Sequence, residues 1–285
     1  MTQSTIFPQE RVTIVGVLNL TPDSFSDGGR FVRAGADLDL EAAVAEAEEL
    51  VASGAGMVDV GGESTRPGSR EVPIDVEIAR TRPVIEALAK SISVPIAIDT
   101  RKARVAEAAL EAGAAVVNDI SGLRFDPMLA GVTARAGAAI ILGHLRGDPS
   151  TMQCGVHFED AAMEVAAELR EAAGQALEAG IPAERIGVDP GIGFGKHLAH
   201  NLDLIANLGR IRALVGLPVL VGPSRKAFLG ELTGDPVDRR IEATFAACAV
   251  AVFAGADAIR VHDVGGALRV AKVARALRDA RRDLR

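Results

Sequence analysis

The stretch over residues 189–196 (DPGIGFGK) combines residue types that could bind a flat heterocycle. A short apolar run over residues 186–188 precedes it and predicts that Asp189 stands at the C-terminal end of a strand. A carboxylate fixed there can pair with a planar group that offers two adjacent N–H donors. Three glycines let the backbone take positive φ angles and approach a ligand closely. Phe194 and Lys196 add a flat wall and a cation.

Seven other apolar runs of the chain also end in polar residues. The residues at these predicted strand ends, together with Asp189, are Asn19, Glu63, Asp99, Asn118, His144, Asp189, Ser224 with Lys226, and Arg260 with His262. Asp99, Asn118, Asp189 and Lys226 supply acceptors, an amide and a cation, which suits a heteroaromatic ring with mixed donors and acceptors. A structural protein has no reason to direct so many polar groups to one rim, so the pattern predicts an enzyme.

A second group of these residues suits a phosphate or pyrophosphate with a divalent metal ion. Asn19, Arg260 and His262 provide an oxygen, a guanidinium and an imidazole. They follow the first and last predicted strands, which are neighbours in a closed barrel, and phosphate commonly binds after the last two strands of that fold. Because Mg²⁺ is often held by few protein ligands plus phosphate oxygens, Asn19 alone is a sufficient protein ligand.

Eight apolar strands alternate with helices along the chain. The predicted strands cover residues 13–18, 57–60, 95–98, 114–117, 138–142, 186–188, 218–221 and 258–261. The predicted helices cover residues 38–53, 75–90 (interrupted by Pro83), 102–111, 127–135, 158–179, 201–214, 238–254 and a basic tail from 266. Continuous apolar strands separated by helices predict a parallel sheet, and eight units favour a single (β/α)8 TIM barrel over residues 1–285. The active site of that fold lies at the C-terminal ends of its strands.

Composition excludes several function classes. The net charge of −7 gives no electrostatic support for binding nucleic acid. Cys154 and Cys248 lie far apart without metal or redox spacing, which fits a reduced cytosolic compartment. No apolar run reaches the ~18–20 residues of a membrane span, and the N-terminus lacks a secretory pattern. A small-molecule enzyme of the cytoplasm is expected.

Five motifs resemble those of the dihydropteroate synthase family, in that family's order and across essentially the whole chain. They are NLTPDSFSDGG at residues 19–29, GESTRPG at 62–68, DPGIGFGK at 189–196, SRK at 224–226 and RVHDV at 260–264. The resemblance implies that p-aminobenzoate displaces pyrophosphate from a dihydropterin methyl diphosphate to give dihydropteroate, in folate synthesis. It also implies a Mg²⁺ cofactor, a cytoplasmic homodimer and a target of sulfonamides.

The resemblance further implies a role for each motif residue. The pterin would be bound by Asp99, Asn118, Asp189 and Lys226, and the diphosphate by Asn19 with Mg²⁺, Arg260 and His262. Catalysis would rest on Asp99, Asp189, Lys226 and Arg260. The p-aminobenzoate side would be lined by Phe25, Thr65, Arg66, Pro67, Phe194 and Ser224. The chain departs from the family at Gly143 and Leu145, where Met is usual before His144 and frequent after it, so Gly143 predicts a wider pocket on the pterin face.

Simpler roles stand beside these. His144 taken alone is more often a hydrogen-bonded structural histidine than a substrate ligand, and Lys196 and Glu63 are consistent with solvated or structural charges. Asp59 and Asp119 are interpreted as satisfying loop backbone and are placed outside the site.

Rival functions make different demands on the sequence. A methyltetrahydrofolate–corrinoid methyltransferase needs neither a pyrophosphate group nor the SRK motif, whereas this chain has both. A non-catalytic pterin-binding scaffold predicts losses at Asn19, Lys226 or Arg260, and all three are present. A phosphosugar aldolase barrel needs a Schiff-base lysine within a strand, whereas Lys226 is predicted on a loop.

Overall fold

A computed structural model describes residues 6–21, 38–66 and 68–282 of the chain. Its strands are β1 Thr13–Asn19, β2 Met57–Gly61, β3 Ile96–Asp99, β4 Val116–Asp119, β5 Ala139–Gly143, β6 Ile186–Asp189, β7 Leu220–Val221 and β8 Ala258–Val261. Its α-helices are α1 Leu40–Ala52, α2 Ile74–Ser91, α3 Ala103–Glu111, α4 Leu129–Arg135, α5 Ala161–Glu178, α6 Leu198–Ala206, α7 Leu208–Val215, α8 Ala227–Thr233, α9 Ile241–Ala254 and α10 Val264–Arg282. Each predicted strand is present, and most boundaries agree within two residues.

The strands form one parallel sheet in the order β6-β5-β4-β3-β2-β1-β8-β7. A single bridge between Val188 and Val219 joins its two edges, so the sheet curls into a barrel that is nearly closed. The prediction of a TIM barrel is therefore confirmed. Since all strands run the same way, their C-terminal ends share one rim.

Two apolar layers hold the barrel because alternate strand residues point to opposite sides. Residues facing outward pack against the helices in the main core, with Ile14, Leu18 and Val60 as examples. The smaller inner cluster consists of Phe7, Val15, Met57, Ala97, Val116, Ile141, Leu220 and Ala258. The Phe7 ring reaches Gly187 on β6, where an added Cβ would lie 3.0 Å from its Cε2 atom. Side chains thus fill the barrel beneath the rim.

Three helical predictions are corrected. Helix α2 continues through Pro83, which was expected to interrupt it. Proline removes one helical hydrogen bond, but Val84, Ile85 and Leu88 are fully buried and hold the helix on the barrel. The predicted helix over residues 201–214 is two helices that meet at Asn207, and α8 was not predicted. Among the described helices, none is long and apolar enough to cross a membrane.

Candidate active site

A cavity of about 920 Å³ opens at the C-terminal ends of the strands. Its wall contains these predicted site residues: Asn19, Thr65, Arg66, Asp99, Asn118, Asp189, Phe194, Ser224, Lys226, Arg260 and His262. The fold thus brings together residues that lie up to 243 positions apart, from Asn19 to His262. The predicted residues Phe25 and Pro67 lie outside the described part of the chain.

The floor of the cavity is an ion-pair network centred on Arg260 of β8. Its Nε donates to Asp59 Oδ2 at 2.6 Å, and its Nη2 donates to Asp99 Oδ2 at 2.7 Å. Asn118 Nδ2 donates to the same Asp59 oxygen at 2.9 Å. Asp59, Asp99 and Asn118 come from the neighbouring strands β2, β3 and β4, and Arg260 reaches them from β8 across β1. The register of the sheet therefore fixes their spacing. The contacts use two of the five N–H donors of the guanidinium.

Asp59 is a residue that the sequence analysis placed outside the site. It is fully buried and contacts both Arg260 and Asn118. The available signal was an acidic residue in the middle of an apolar strand, because a buried charge requires a partner. Asp59 therefore belongs to the floor as a support for two predicted ligand residues.

Burial raises the pKa of Asp99 to about 7, against the opposing effect of Arg260 and with the help of Asp59. Burial also raises the pKa of Asp189, although Lys226 and the Gly191 N–H counteract it. That N–H donates to Asp189 Oδ1 at 2.7 Å. Burial lowers the pKa of Lys226 to about 8, with Asp189 opposing. A ligand that offers N–H donors or develops positive charge here would favour the ionised carboxylates.

The loop after Asp189 requires glycine at two positions. Gly191 has φ of 68°, and a Cβ there would lie 2.0 Å from the carbonyl oxygen of His144. Gly193 has φ of 83°, and its Cβ would lie 2.8 Å from Cδ of Lys226. This close approach lets the Lys226 ammonium sit 4.1 Å above the Phe194 ring and donate to the carbonyl of Ile192. The two glycines thus allow this loop to approach the main chain of His144 and the side chain of Lys226.

Lys196 is buried, not solvated, and supports the same loop from below. Its ammonium donates to His144 Nδ1 at 3.0 Å, to His144 O at 3.3 Å and to Phe194 O at 2.9 Å. His144 Nε2 in turn lies 3.1 Å from Glu168 Oε2. Burial lowers the pKa of His144 to about 4, with Lys196 adding to the effect and Glu168 opposing it. His144 borders the cavity as a hydrogen-bonded histidine, which is the simpler of its two predicted roles.

His262 and Ser224 form another hydrogen-bonded pair in the cavity wall. Ser224 Oγ lies 2.9 Å from His262 Nδ1 and accepts from the His262 backbone N–H at 3.4 Å. Burial lowers the pKa of His262 to about 3, and Arg260 and Arg225 lower it further. If the serine hydroxyl donates to Nδ1, the neutral ring carries its proton on Nε2 and offers that N–H to an anion.

Gly143 does not widen the cavity where its side chain would begin. An added Cβ would lie 2.6 Å from Cα and 2.9 Å from the carbonyl oxygen of Ile120, so the loop after β4 already fills this space. Leu145, the second departure from the family, is buried with Ile120 and Met152 in an apolar cluster that Phe194 also contacts. The wider pocket that Gly143 predicted is therefore not found at this point of the wall.

A cavity with buried ion pairs at the C-terminal ends of the strands of a (β/α)8 barrel is the arrangement of an enzyme active site in this fold. The family model described as "Pterin binding enzyme" matches residues 15–262, and the chain belongs to this family. A dihydropteroate synthase of Synechocystis is 44% identical over 269 residues, which cover 94% of this chain and 91% of that protein.

Two solved structures resemble the whole barrel. The dihydropteroate synthase of Yersinia pestis, in complex with a sulfonamide drug, matches with a TM-score of 0.90 and 36% identity over 98% of this chain and 100% of that one. That of Xanthomonas albilineans, with 4-aminobenzoic acid, matches with a TM-score of 0.85 and 40% identity over 94% and 93% of the two chains. The predicted resemblance to dihydropteroate synthases is confirmed.

Proposed function

We propose that this chain condenses (7,8-dihydropterin-6-yl)methyl diphosphate with 4-aminobenzoate to form 7,8-dihydropteroate and diphosphate, as a dihydropteroate synthase of folate biosynthesis. Relatives that match this chain over most of their length carry this name. The observation that carries the proposal is the cavity itself, in which buried carboxylates face a cluster of cations. Such a site can stabilise a cation on one substrate and the anion that leaves it.

The pterin is proposed to bind between Asp189 and the floor. Its 2-amino group and adjacent ring N–H are a bidentate partner for the Asp189 carboxylate. The Asp99 Oδ1 atom is buried and has no hydrogen-bond partner among the described residues, so it can accept a further N–H of the ring. Asn118 offers an amide, and Lys226 offers a donor to a ring acceptor. Loss of diphosphate leaves positive charge on the pterin methylene, and the two nearby carboxylates stabilise that charge.

The diphosphate is proposed to bind beside His262, where Arg260, Arg225 and Arg66 create a positive field. The neutral His262 ring supplies an N–H donor. Arg260 is charged at all relevant pH values, because Asp59 and Asp99 outweigh the effect of burial and raise its pKa. These groups stabilise the leaving anion as negative charge develops on it.

Mg²⁺ is proposed to bind with the diphosphate at Asn19, whose Oδ1 lies at the cavity wall. The described residues contain no group of three or more His, Cys, Asp or Glu side chains that could hold a metal alone. A single hard amide oxygen fits an ion that takes most of its ligands from phosphate oxygens and water. When bound, Mg²⁺ would neutralise charge on the leaving group.

4-Aminobenzoate is proposed to enter on the side formed by Thr65, Arg66, Phe194 and Ser224, which border the same cavity. The arylamine is a competent nucleophile near neutral pH and needs no activating base. Phe25 and Pro67 remain predictions for this side. The Yersinia pestis relative binds a sulfonamide drug, and we propose that such drugs compete with 4-aminobenzoate here.

A homodimer is proposed through the last two helices. Val250 and Phe253 of α9 and Val273 and Leu277 of α10 are exposed apolar side chains. Adjacent exposed apolar residues mark an interaction surface. Sedimentation should show a dimer, and Val273→Glu should shift it to a monomer. The cytoplasmic location remains a prediction.

The function is tested by a coupled assay for pyrophosphate release. We expect release only when dihydropterin methyl diphosphate and 4-aminobenzoate are both present, together with formation of dihydropteroate. Release that is independent of the arylamine would indicate hydrolysis and contradict the proposal.

A further inference from the structure

A second buried charge cluster adjoins the cavity and shares one residue with its wall, Glu63, which was predicted at a strand end. The Lys102 ammonium is 2.6 Å from Glu63 Oε2 and 2.8 Å from Glu77 Oε2, and it donates to the carbonyl of Val72 at 2.5 Å. Lys102, Glu63 and Glu77 are all buried. Three acceptors match the three N–H donors of an ammonium group, so the lysine is fully committed to these partners.

The partners of Lys102 lie at the two ends of one loop. The connection from β2 to α2 covers residues 62–73; Glu63 is near its start and Val72 near its end. The Val72 N–H also donates to Glu63 Oε2 at 2.7 Å, so both ends meet at one carboxylate and one ammonium. Between these ends lie Thr65 and Arg66, which border the cavity. Lys102 therefore closes the base of the loop that carries part of the site.

Lys102 also ties this loop to the floor of the cavity. It is the N-cap residue of α3, three residues after Asp99 at the end of β3, so its main chain continues from the strand that holds a floor carboxylate. Arg101 adds a contact of 3.4 Å from its Nε to Glu63 Oε1 and lies 3.8 Å above the Phe125 ring. The cluster thereby fixes the loop relative to β3 through the contacts of Lys102 and Arg101 with Glu63.

The charges of the cluster favour a geometric role. Burial alone would lower the pKa of Lys102, but Glu63 and Glu77 outweigh it and raise the pKa, which keeps the ammonium charged. Together with Arg101 the cluster has two positive and two negative groups. A buried ion pair contributes little net stability compared with apolar packing but can select one geometry, because breaking it leaves an unpaired charge.

We propose that Lys102 is a positioning residue that clamps the base of the loop and so places Thr65 and Arg66 for the second substrate. This inference rests on the proposed function in assigning that side of the cavity to 4-aminobenzoate. The pterin-binding groups Asp99 and Asp189 keep their own partners without Lys102. Loss of the clamp should therefore affect the arylamine more than the pterin.

The test compares Lys102→Met with Glu77→Gln. Lys102→Met removes the ammonium from both loop ends, whereas Glu77→Gln removes one carboxylate and leaves the contacts of Lys102 with Glu63 and Val72 in place. We expect Lys102→Met to raise the KM for 4-aminobenzoate by about tenfold or more, as for loss of one buried hydrogen-bonded partner. Its kcat and its affinity for a pterin without phosphate, measured by titration, should change by less than about threefold. Glu77→Gln should leave this KM unchanged.

A second readout does not depend on activity. Arg70 is exposed within the loop, so trypsin can cut after it when the base of the loop opens. Native-state cleavage followed by mass spectrometry should be faster at Arg70 in Lys102→Met than in the wild type or in Glu77→Gln. Cleavage reports on the clamp even if the proposed reaction is not observed, so the two proposals fail separately.

Folding of Lys102→Met is the main risk, since two carboxylates would face each other. The double variant Lys102→Met/Glu77→Gln removes a positive and a negative charge together and is tested in the same way. An unchanged KM for 4-aminobenzoate together with unchanged cleavage at Arg70, in Lys102→Met or in the double variant, would overturn the proposal. Equal losses of 4-aminobenzoate and pterin binding would overturn it too, because they would indicate a general structural role.

Discussion

The floor and the mouth of the cavity are built differently. On the floor, Asp59, Asp99 and Arg260 come from strands and are joined at 2.6 and 2.7 Å, so the parallel register sets their positions. At the mouth, Thr65 and Phe194 lie on loops that are held from behind by buried lysines. The difference teaches that the floor, where we propose that the pterin binds, is built into the sheet, whereas the mouth, which we propose for the arylamine, depends on how its loops are anchored.

The largest expected effect comes from a substitution of Asp189, which we propose contacts the pterin. Asp189→Asn keeps the size of the side chain but places an NH₂ donor opposite the pterin N–H donors. Loss of a buried, charge-assisted partner costs about 1–3 kcal/mol, or roughly tenfold to a hundredfold in pterin affinity. Turnover should fall further, because the carboxylate no longer stabilises the developing cation. Pterin titration and steady-state kinetics measure both effects.

The thermal midpoint serves as the control for Asp189→Asn. It should change little, because an amide oxygen at this position can still accept the Gly191 N–H. A near-normal affinity for a simple pterin would remove Asp189 from the pterin site.

A smaller effect is expected at Asn19, where we propose that Mg²⁺ and the diphosphate bind. Asn19→Ala should lower kcat/KM by about tenfold through loss of one metal ligand, in line with changes around bound metals. Affinity for a pterin without phosphate should stay constant, because the proposed role of Asn19 is confined to Mg²⁺ and diphosphate. Equal losses in both measurements would instead place Asn19 in the pterin pocket.

Binding of 4-aminobenzoate at the mouth should depend on prior binding of the pterin and pyrophosphate at the floor. We expect calorimetry to show at least about tenfold tighter binding of 4-aminobenzoate when a pterin and pyrophosphate are present, a typical size for coupling between sites. The physical reason is that the loops at the mouth close around ligands already in place. Tight binding of 4-aminobenzoate to the free protein would erase the contrast between the two ends.

The smallest expected effect is the pH dependence of the stability that His144 contributes beneath the loop of Phe194. The pKa of His144 falls from about 6.5 in the unfolded chain to about 4 in the fold. Its neutral form is favoured in the folded state, so its contribution to stability is complete above about pH 6.5 and is lost as the pH falls towards about 4. Moving from roughly pH 7.5 to 5.5 should therefore cost about 1 kcal/mol at this site.

Denaturant unfolding of wild type and His144→Gln at both pH values measures this contribution. The variant should lose less stability on acidification than the wild type. It should keep the part due to His262, whose pKa is lowered to about 3. An identical loss in both proteins would exclude His144 as the source.

The sequence predicted the strands, the barrel and the members of the rim, because each of eight apolar runs is followed by a polar residue and the runs alternate with helices. The same logic failed within strands, where Asp59 was left out of the site although an isolated buried carboxylate needs a partner. It left the role of Lys196 open, because spacing does not say whether a loop cation is solvated or enclosed. Gly143 shows a third limit, since the space beside a glycine depends on a loop from another strand.

Residue roles are a separate matter from residue positions. The fold places Asp99, Asp189 and Lys226 around one cavity, and the family of the chain is established. Their assignment to pterin binding remains a prediction that ligand titration tests.

Pro83 shows that burial can outweigh a local rule for helices. Proline was expected to interrupt α2, but the helix continues because Val84 and Ile85 are buried against the barrel, which only the fold reveals.

The barrel has a weak seam between β6 and β7, where Val188 and Val219 form the one bridge in the described sheet that joins these strands. Asp189 ends the strand on one side of the seam, and Lys226 follows the strand on the other. A pterin that contacts both residues would therefore link the two strands that are least bonded to each other in the described sheet. Because such a ligand binds only when the joint is closed, its binding free energy would add to the free energy needed to open the joint.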